Sequence, residues 1–300
     1  MDLSIIIVNW NTRELLAECL RSVYADAGDL ALEVIVVDNA SRDGSVEMVR
    51  EQFPQVRLIA NSENVGFARA NNQGMRESAG RYVVLLNSDT EVKPGAWAAL
   101  VRMMDAHPEA GAAGPYLLNA DGSLQPSCHP VLTPGRELWR LLFLERILSR
   151  ATYPMERWDT TQPHRVEVIK GACLLLRRAA LDQVGLLDER YFMYTEEMDL
   201  CHRIGQAGWL LYWVPQARVV HYGGASTRQM AEAMYLELYR SKIQFQRKFW
   251  GDGRARWFKA LLYLAYGPRW LVTSVARLWN ASLAPRARTY RQLLARLPAM

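Results

Sequence analysis

Up to about residue 120 the chain alternates two hydrophobic periods, and this alternation restricts the fold more than any other feature. The runs SIIIVNW, EVIVVDN, VRLIA, YVVLLN and GAAGPYLLN are short, apolar and rich in β-branched residues. Between them lie TRELLAECLRSVY, DGSVEMVREQF, GFARANNQGMRESA and KPGAWAALVRMMDAH, which carry the helical period. Strands separated by helices of this length predict βαβ units and a parallel sheet covered on both faces. In such sheets ligands sit beyond the carboxyl ends of the strands. Asn and Asp crowd those ends, at 9–11, 38–41, 61–64 and 87–89. A single such end reads as turn or cap chemistry; their succession points to a polar cleft.

Farther on, LLNADGSLQPS predicts a hairpin around Asp121-Gly122, and RELWRLLFLERILSR (136–150) an amphipathic helix with an unusually apolar face. A loop over 151–165 precedes the strand VIKGACLLLRR, an acidic helix start and the strand WLLYWVPQARVVH, and from about Arg228 the chain turns helical. The net charge of +5 gathers in that tail, where basic residues far outnumber the acids Glu232, Glu237 and Asp252. Such a tail meets phosphates, of nucleic acid or of lipid headgroups. Between Ala260 and Trp279 it is mostly apolar, but Gly267-Pro268-Arg269 interrupts it. One spanning helix would hold Arg269 near the bilayer centre, at a cost of roughly 2.5–3.5 kcal/mol. Two short amphipathic helices lying in the membrane interface are the expectation, with intramolecular packing as the alternative. The four cysteines lack any pairing spacing and read as reduced, buried thiols, and MDLSIIIVNW lacks the basic start of a signal peptide, so export is not expected.

Phosphate loops of the G-x-x-x-x-G-K-[ST] and G-x-G-x-x-G types are missing, as is any His/Cys cluster with zinc spacing. Asn87-Ser88-Asp89 ends a buried strand, where a carboxylate can hold a hard cation that keeps waters and bridges to substrate phosphates, or can cap the next helix. His221 ends another strand before Gly223-Gly224, as a metal or phosphate ligand or a structural hydrogen-bonder. The stretch YTEEMDLCHR places three acids close together. If Thr195 caps a helix, Glu196, Glu197 and Asp199 lie in its first turn, where the dipole favours acids by about 0.3–1 kcal/mol each. At 100° per residue, Asp199 shares the solvated face with His202, Arg203 and Gln206 and can pair with Arg203. Glu197 falls within the apolar stripe of Leu200, Cys201, Ile204 and Ala207, with Glu196 at its edge. A carboxylate so placed must be paired or open into a cleft, and one that stays ionised near neutral pH can serve as a general base.

SIIIVNWN, VVDNASRDGS, NVGFARANNQG, LLNSDTEV, KGACLLLRR, YTEEMDLCHR and HYGGAS follow the order seen in family 2 glycosyltransferases. Over roughly residues 1–226 the chain resembles the bacterial rhamnosyltransferase-like branch that builds O-antigen and cell-wall polysaccharides. The resemblance implies an α/β GT-A fold, a mainly parallel sheet flanked by helices, with a nucleotide-binding half (1–118) and an acceptor and catalytic half (119–226). Residues 227–300 would form a helical, basic tail at the membrane interface. Carried over, Asp38 would contact the nucleobase beside the backbone of Val8 and Asn9, and Asn64, Arg69 and Asn72 would border the nucleotide. Asn87, Ser88 and Asp89 stand at the D-x-D-like metal motif, His221 matches the histidine that joins the metal or diphosphate, and Gly171-Ala172 the wall between donor sugar and acceptor. Glu197 aligns with the catalytic base, with Glu196 beside it. Two departures stand out: Asn87 replaces an acid, which weakens the metal motif or shifts part of it to His221, and Glu197 is one methylene longer than the family's Asp.

The implied reaction is an inverting transfer, with L-rhamnose from dTDP-rhamnose as the first choice, to a hydroxyl of a polyprenyl-diphosphate-linked saccharide or polysaccharide. It would use Mg²⁺ or Mn²⁺ and take place on the cytoplasmic side of the membrane. UDP-galactofuranose, UDP-glucose or UDP-GlcNAc are alternative donors, and a nucleotide-sugar-binding protein without turnover is the alternative outside catalysis. Nothing in the tail resembles a nucleic-acid recognition motif, and a second copy of the chain stays open as a partner.

Overall fold

The computed structural model describes residues 1–142, 144–146, 151–224 and 227–300. The end of the amphipathic stretch 136–150 and Ala225-Ser226 of the HYGGAS segment lie outside them. In chain order the elements begin β1 (Leu3–Asn9), α1 (Arg13–Ala25), β2 (Leu32–Asp38), α2 (Ser45–Gln52), β3 (Arg57–Ala60), α3 (Phe67–Glu77) and β4 (Tyr82–Asn87). They continue with β5 (Thr90–Val92), α4 (Ala96–Ala106), β6 (Ala110–Leu118), β7 (Cys128–His129), α5 (Pro134–Leu141), β8 (His164–Val166), β9 (Val168–Ile169) and β10 (Cys173–Arg177). The last are α6 (Arg178–Val184), α7 (Glu196–Gln206), β11 (Leu210–His221), α8 (Ala231–Ala276) and α9 (Ala284–Arg296). Two compact units result: Met1–Val131, Pro154–Phe192 and Glu196–Gln229 form the first, and Leu132–Tyr153, Met193–Thr195 and Met230–Met300 the second.

The first unit is built on a sheet of order β3-β2-β1-β4-β10-β6-β11-β5, with β8 beside β11. Strands β3, β2, β1 and β4 are parallel, as the alternating periods predict. Ile5, Ile6 and Ile7 are all fully buried, as a strand covered on both faces requires. Beyond β4 the sheet is mixed. A parallel neighbour needs a crossover connection, whereas β10 enters at the carboxyl end of β4, with Cys173 opposite Leu86, and so runs back antiparallel to it. Short β5 crosses to the far edge and pairs antiparallel with the end of β11, Thr90 opposite His221. That crossing carries the residues after β4 to the residues after β11. All four cysteines are buried and unbridged.

The second unit is helical. Thr133 caps α5, its hydroxyl accepting from the Arg136 amide at 3.2 Å. Leu236, Tyr239 and Ile243 pack with Phe258, Leu262, Leu293 and Leu297 in a core of its own. Helix α8 bends at Gly251, whose φ of 80° suits only glycine. The break expected at Gly267-Pro268 is not there: the helix runs through Pro268 to Ala276. Proline removes one helical N–H, but both sides of it are pinned. Tyr266 packs against Tyr235, Tyr239 and Tyr290, and Arg269 donates to the carbonyls of Ala265 and Leu141.

Candidate active site

The carboxyl ends of β1, β2 and β4 form a floor of buried polar groups. The Asn9 amide donates to Asp38 Oδ2 at 2.8 Å and to Ser41 Oγ at 3.1 Å, and the Ser41 amide donates to Asp38 Oδ1 at 2.8 Å. Thr12 donates to Asn9 Oδ1 at 2.6 Å and shares a 2.8 Å hydrogen bond with Ser88 Oγ. Asn9 and Asp38 are almost wholly buried, so this network fixes their orientation. A carboxylate has about four acceptor positions, which leaves Asp38 capacity for a further donor. Val8 lies between Val37 and Asn87 in the sheet. The loops here are strained: Asn11 and Ala40 have φ of 52° and 62°, a region L-residues seldom occupy.

Residues from β4 and β11 meet beside this floor. His221 Nε2 lies 3.3 Å from Asp89 Oδ1 and 3.2 Å from Asn87 Nδ2. Its Nδ1 lies 2.6 Å from Gln125 Oε1. The Gln125 amide nitrogen donates to the backbone carbonyl of His221 at 3.0 Å and to Asn119 Oδ1 at 2.9 Å. That orientation leaves Oε1 as an acceptor, so Nδ1 carries the proton of the neutral ring and Nε2 turns its lone pair toward Asp89 and Asn87. A carboxylate oxygen and an imidazole lone pair facing each other fit a divalent cation. Among the described residues no group of three or more His, Cys, Asp or Glu gathers into a metal cage. The donor set therefore suits a cation that completes its shell with water and phosphate oxygens.

The three acids of α7 occupy different environments. Asp199, expected on the solvated face, is fully buried. Arg203 pairs with it at 2.7 Å as its spacing foretold, and Tyr191 donates to it at 3.2 Å. Arg203 also donates to the carbonyls of Val184 and Leu186, so the segment after α6 covers this face. Helical phase identifies residues that share a face but not what packs on it. Glu196 is buried and Glu197 half-buried, each with Oε2 shielded from solvent. Glu197 stands against Gly171: a Cβ added there would lie 3.6 Å from the Glu197 Cβ. Desolvation pushes the Lys170 ammonium below its ordinary range, and the charge of Glu197 opposes that shift. Ala172 accepts the Asn87 amide at 3.0 Å, so Gly171-Ala172 links the end of β4 to Glu197. Thr195 does not adopt the extended conformation of an N-cap. It and Tyr194 have φ of 72° and 68°, on the order of 1–3 kcal/mol of strain each immediately before α7.

The residues expected along the nucleotide diverge. Asn64 Oδ1 accepts the Gly66 amide at 3.0 Å and shapes the entry to α3. Gly66 has no room for a side chain, since a Cβ would lie 2.7 Å from the Phe192 carbonyl. Asn72 is committed elsewhere: buried, it bonds the Leu187 amide and carbonyl and Glu189. Arg69 pairs with Glu189 at 3.3 Å. Both tie α3 to the 187–189 segment, because a buried amide takes the nearest backbone partners available to it. Sequence reasoning missed Gln125, whose only signal was its place after the Asp121-Gly122 turn, and Ser41 and Thr12, which resemble ordinary cap residues.

A sheet with this strand order, a polar floor at its carboxyl ends and a helix-borne acid beside it is the GT-A architecture of glycosyltransferases. The chain belongs to glycosyl transferase family 2, whose model matches residues 4–185, and is a glycosyltransferase. It is 33% identical over 258 residues, 79% of this chain and 80% of the relative, to the N-acetylglucosaminyl-diphospho-decaprenol L-rhamnosyltransferase of Mycobacterium tuberculosis. The O-antigen biosynthesis protein RfbC of Myxococcus xanthus is 27% identical over 230 residues, 75% of this chain and 18% of the relative. Among solved structures, the mannosyltransferase PcManGT from Pyrobaculum calidifontis in complex with GDP-Man and Mn²⁺ is similar with a TM-score of 0.56 and 19% identity, over 98% of this chain and 85% of that one. GalNAc-T7 with UDP, GalNAc and Mn²⁺ is similar with a TM-score of 0.60 and 18% identity, over 84% of this chain and 48% of that one.

Proposed function

We propose that this glycosyltransferase moves L-rhamnose from dTDP-rhamnose, with inversion, to a hydroxyl of a polyprenyl-diphosphate-linked saccharide. The observation that carries the reading is the short link through Gly171-Ala172 between Glu197 and the Asn87–Asp89 strand end. That link supports reading Glu197 as a base that acts beside the groups suited to a diphosphate. The mycobacterial relative, whose name specifies rhamnosyl transfer to a lipid-linked N-acetylglucosamine, supports the choice of donor and acceptor.

Glu197 takes the proton of the acceptor hydroxyl as that oxygen attacks the anomeric carbon from the face opposite the nucleotide. The new carbon–oxygen bond forms as the bond to the diphosphate breaks, and the electron pair leaves with the nucleotide. Glu196 supports the helix start on which the base is carried. Asp38, Asn9 and Val8 hold the nucleoside end, and Ser88 keeps the loop after β4 in place through Thr12. Asp89 and His221, with Asn87 beside them, would hold a divalent cation, Mg²⁺ or Mn²⁺, which would supply positive charge for the leaving diphosphate. Residues 1–226 carry this chemistry, and 227–300 hold the enzyme to the cytoplasmic face of the membrane where such an acceptor resides.

Nucleotide release is measured across dTDP-, UDP- and GDP-sugars with a polyprenyl-diphosphate-N-acetylglucosamine acceptor. A preference for dTDP-rhamnose is expected; a clean preference for UDP-galactofuranose overturns the donor assignment.

A further inference from the structure

We propose that the outer face of the second half of α8 is a docking surface for an anionic lipid bilayer. Trp257, Leu264, Leu271 and Val275 recur at spacings that keep them on one side of the helix, Leu278 and Trp279 follow in the turn after it, and all six are exposed, Leu264 by 67% and Trp279 by 80%. On the other side Phe258, Leu262 and Tyr266 are buried with Leu293 of α9 and Leu297 just after it. The unit therefore has its core, and the exposed stripe is additional to it. Since Pro268 leaves the helix unbroken, the stripe extends about 27 Å from Trp257 to Val275 at the helical rise. No helix among the described residues is long and apolar enough to cross a membrane, so the stripe suits a surface rather than a span.

Charge selects the partner. No Asp or Glu follows Asp252, while Arg254, Arg256, Arg277, Arg286, Arg288 and Arg291 are exposed. A second copy of the chain would bring two such cation sets together, whereas anionic headgroups neutralise them. Tryptophans near both limits of the stripe match the preference of indole for the headgroup level. This deepens the reading of a lipid-linked acceptor and rests on it for its purpose; vesicle binding itself is read without turnover.

The full chain is floated with vesicles of phosphatidylcholine alone and of phosphatidylcholine with phosphatidylglycerol. Binding is expected only to the second. Leu271→Glu with Val275→Glu should lower the bound fraction about tenfold, and Arg286→Ala with Arg288→Ala on the order of fivefold for each cation removed, with unchanged circular dichroism. Transfer to a short-chain, water-soluble acceptor should be equal in all three proteins. The proposal is overturned if the parent chain ignores phosphatidylglycerol vesicles or if the glutamate variant binds them as well. It is also overturned if the parent sediments as a dimer that the glutamates split. Absent transfer with vesicle binding retained counts against the reaction, not the docking.

A separate observation carries a second inference: the geometry points to Gln125 as a positioning residue for His221. Its carbonyl holds the proton on Nδ1, and its amide is anchored on the His221 and Asn119 oxygens, so Nε2 stays the lone-pair nitrogen facing Asp89. The cation reading concerns only its use. In ¹⁵N-histidine spectra of the metal-free chain, His221 should show the Nδ1–H tautomer. Gln125→Leu should shift it toward Nε2–H and weaken Mn²⁺ binding about tenfold in the presence of dTDP, whereas Gln125→Glu, which still accepts from Nδ1, should restore both. An unchanged tautomer in the leucine variant, or a changed tautomer with undiminished Mn²⁺ binding, overturns it.

Discussion

The strand-end floor of the first unit and the second half of α8 in the second are inversions of each other. In the floor, polar side chains are withdrawn from water: Asn9, Asp38, Ser88 and Asp89 are buried. On α8, apolar side chains are left in water, among them Leu271 and Val275. The first arrangement costs desolvation that hydrogen bonds must offset, and the second forfeits roughly 1.5–3 kcal/mol for each large side chain left exposed. Stability alone selects neither. Each is proposed to find its complement outside the chain, a charged substrate for the floor and a lipid surface for the helix face.

Beside the floor, on α7, the comparison can be sharpened by separating an acid proposed to act from an acid that holds. Glu197→Gln should lower turnover about a thousandfold, the range of a general base, while nucleotide-sugar affinity and the urea midpoint stay near those of the parent. Near-normal turnover would dismiss Glu197 as the base. Asp199→Ala should do the reverse in kind. With Arg203 left beside the Val184 and Leu186 carbonyls, a loss of roughly 3–5 kcal/mol in urea unfolding is expected. If both variants lost stability alike, the distinction between the acids would collapse.

Smaller effects test the floor against the helical unit. Asp89→Ala should weaken donor binding on the order of tenfold with Mn²⁺ present and little in its absence, read by calorimetry; equal affinity in both conditions would remove Asp89 from the cation. In the second unit, burial alone would raise the Glu137 carboxyl. The charge of Lys242, 2.9 Å away, and of Arg140 outweighs it and holds the carboxyl below the ordinary 4.5. Below 4.5 the unfolded chain then binds a proton that the folded chain lacks. The stability Glu137 contributes is therefore present above that value and lost as pH falls through the folded value. Thermal midpoints taken across this window should fall with acid in the parent and fall less steeply in Glu137→Gln.

Some of this was legible in the residues. The apolar runs of β1, β2, β4 and β6 announce buried strands because such strands need continuous apolar sequence, and the Asn and Asp after β1, β2 and β4 announce the polar floor. The pairing of Asp199 with Arg203 follows from helical spacing. The burial of that pair does not, because it depends on carbonyls at 184–186 that no local period reports. The contact of Asn72 and Arg69 with Glu189 is hidden for the same reason, since that partner is remote in sequence. Pro268 misled in the other direction, since a helix breaker acts only where nothing holds the helix on both sides.

The sequence alone determined the alternating sheet, the family and the acids available for chemistry, because periodicity and motif order are local properties of the chain. Tertiary structure decided which acid is buried as a strut, which stands against Gly171, how β5 carries Asp89 to His221, and that α8 after Gly251 runs on through Pro268 with one exposed apolar face. Those are questions of what packs against a given side, and a one-dimensional pattern fixes faces without fixing their neighbours.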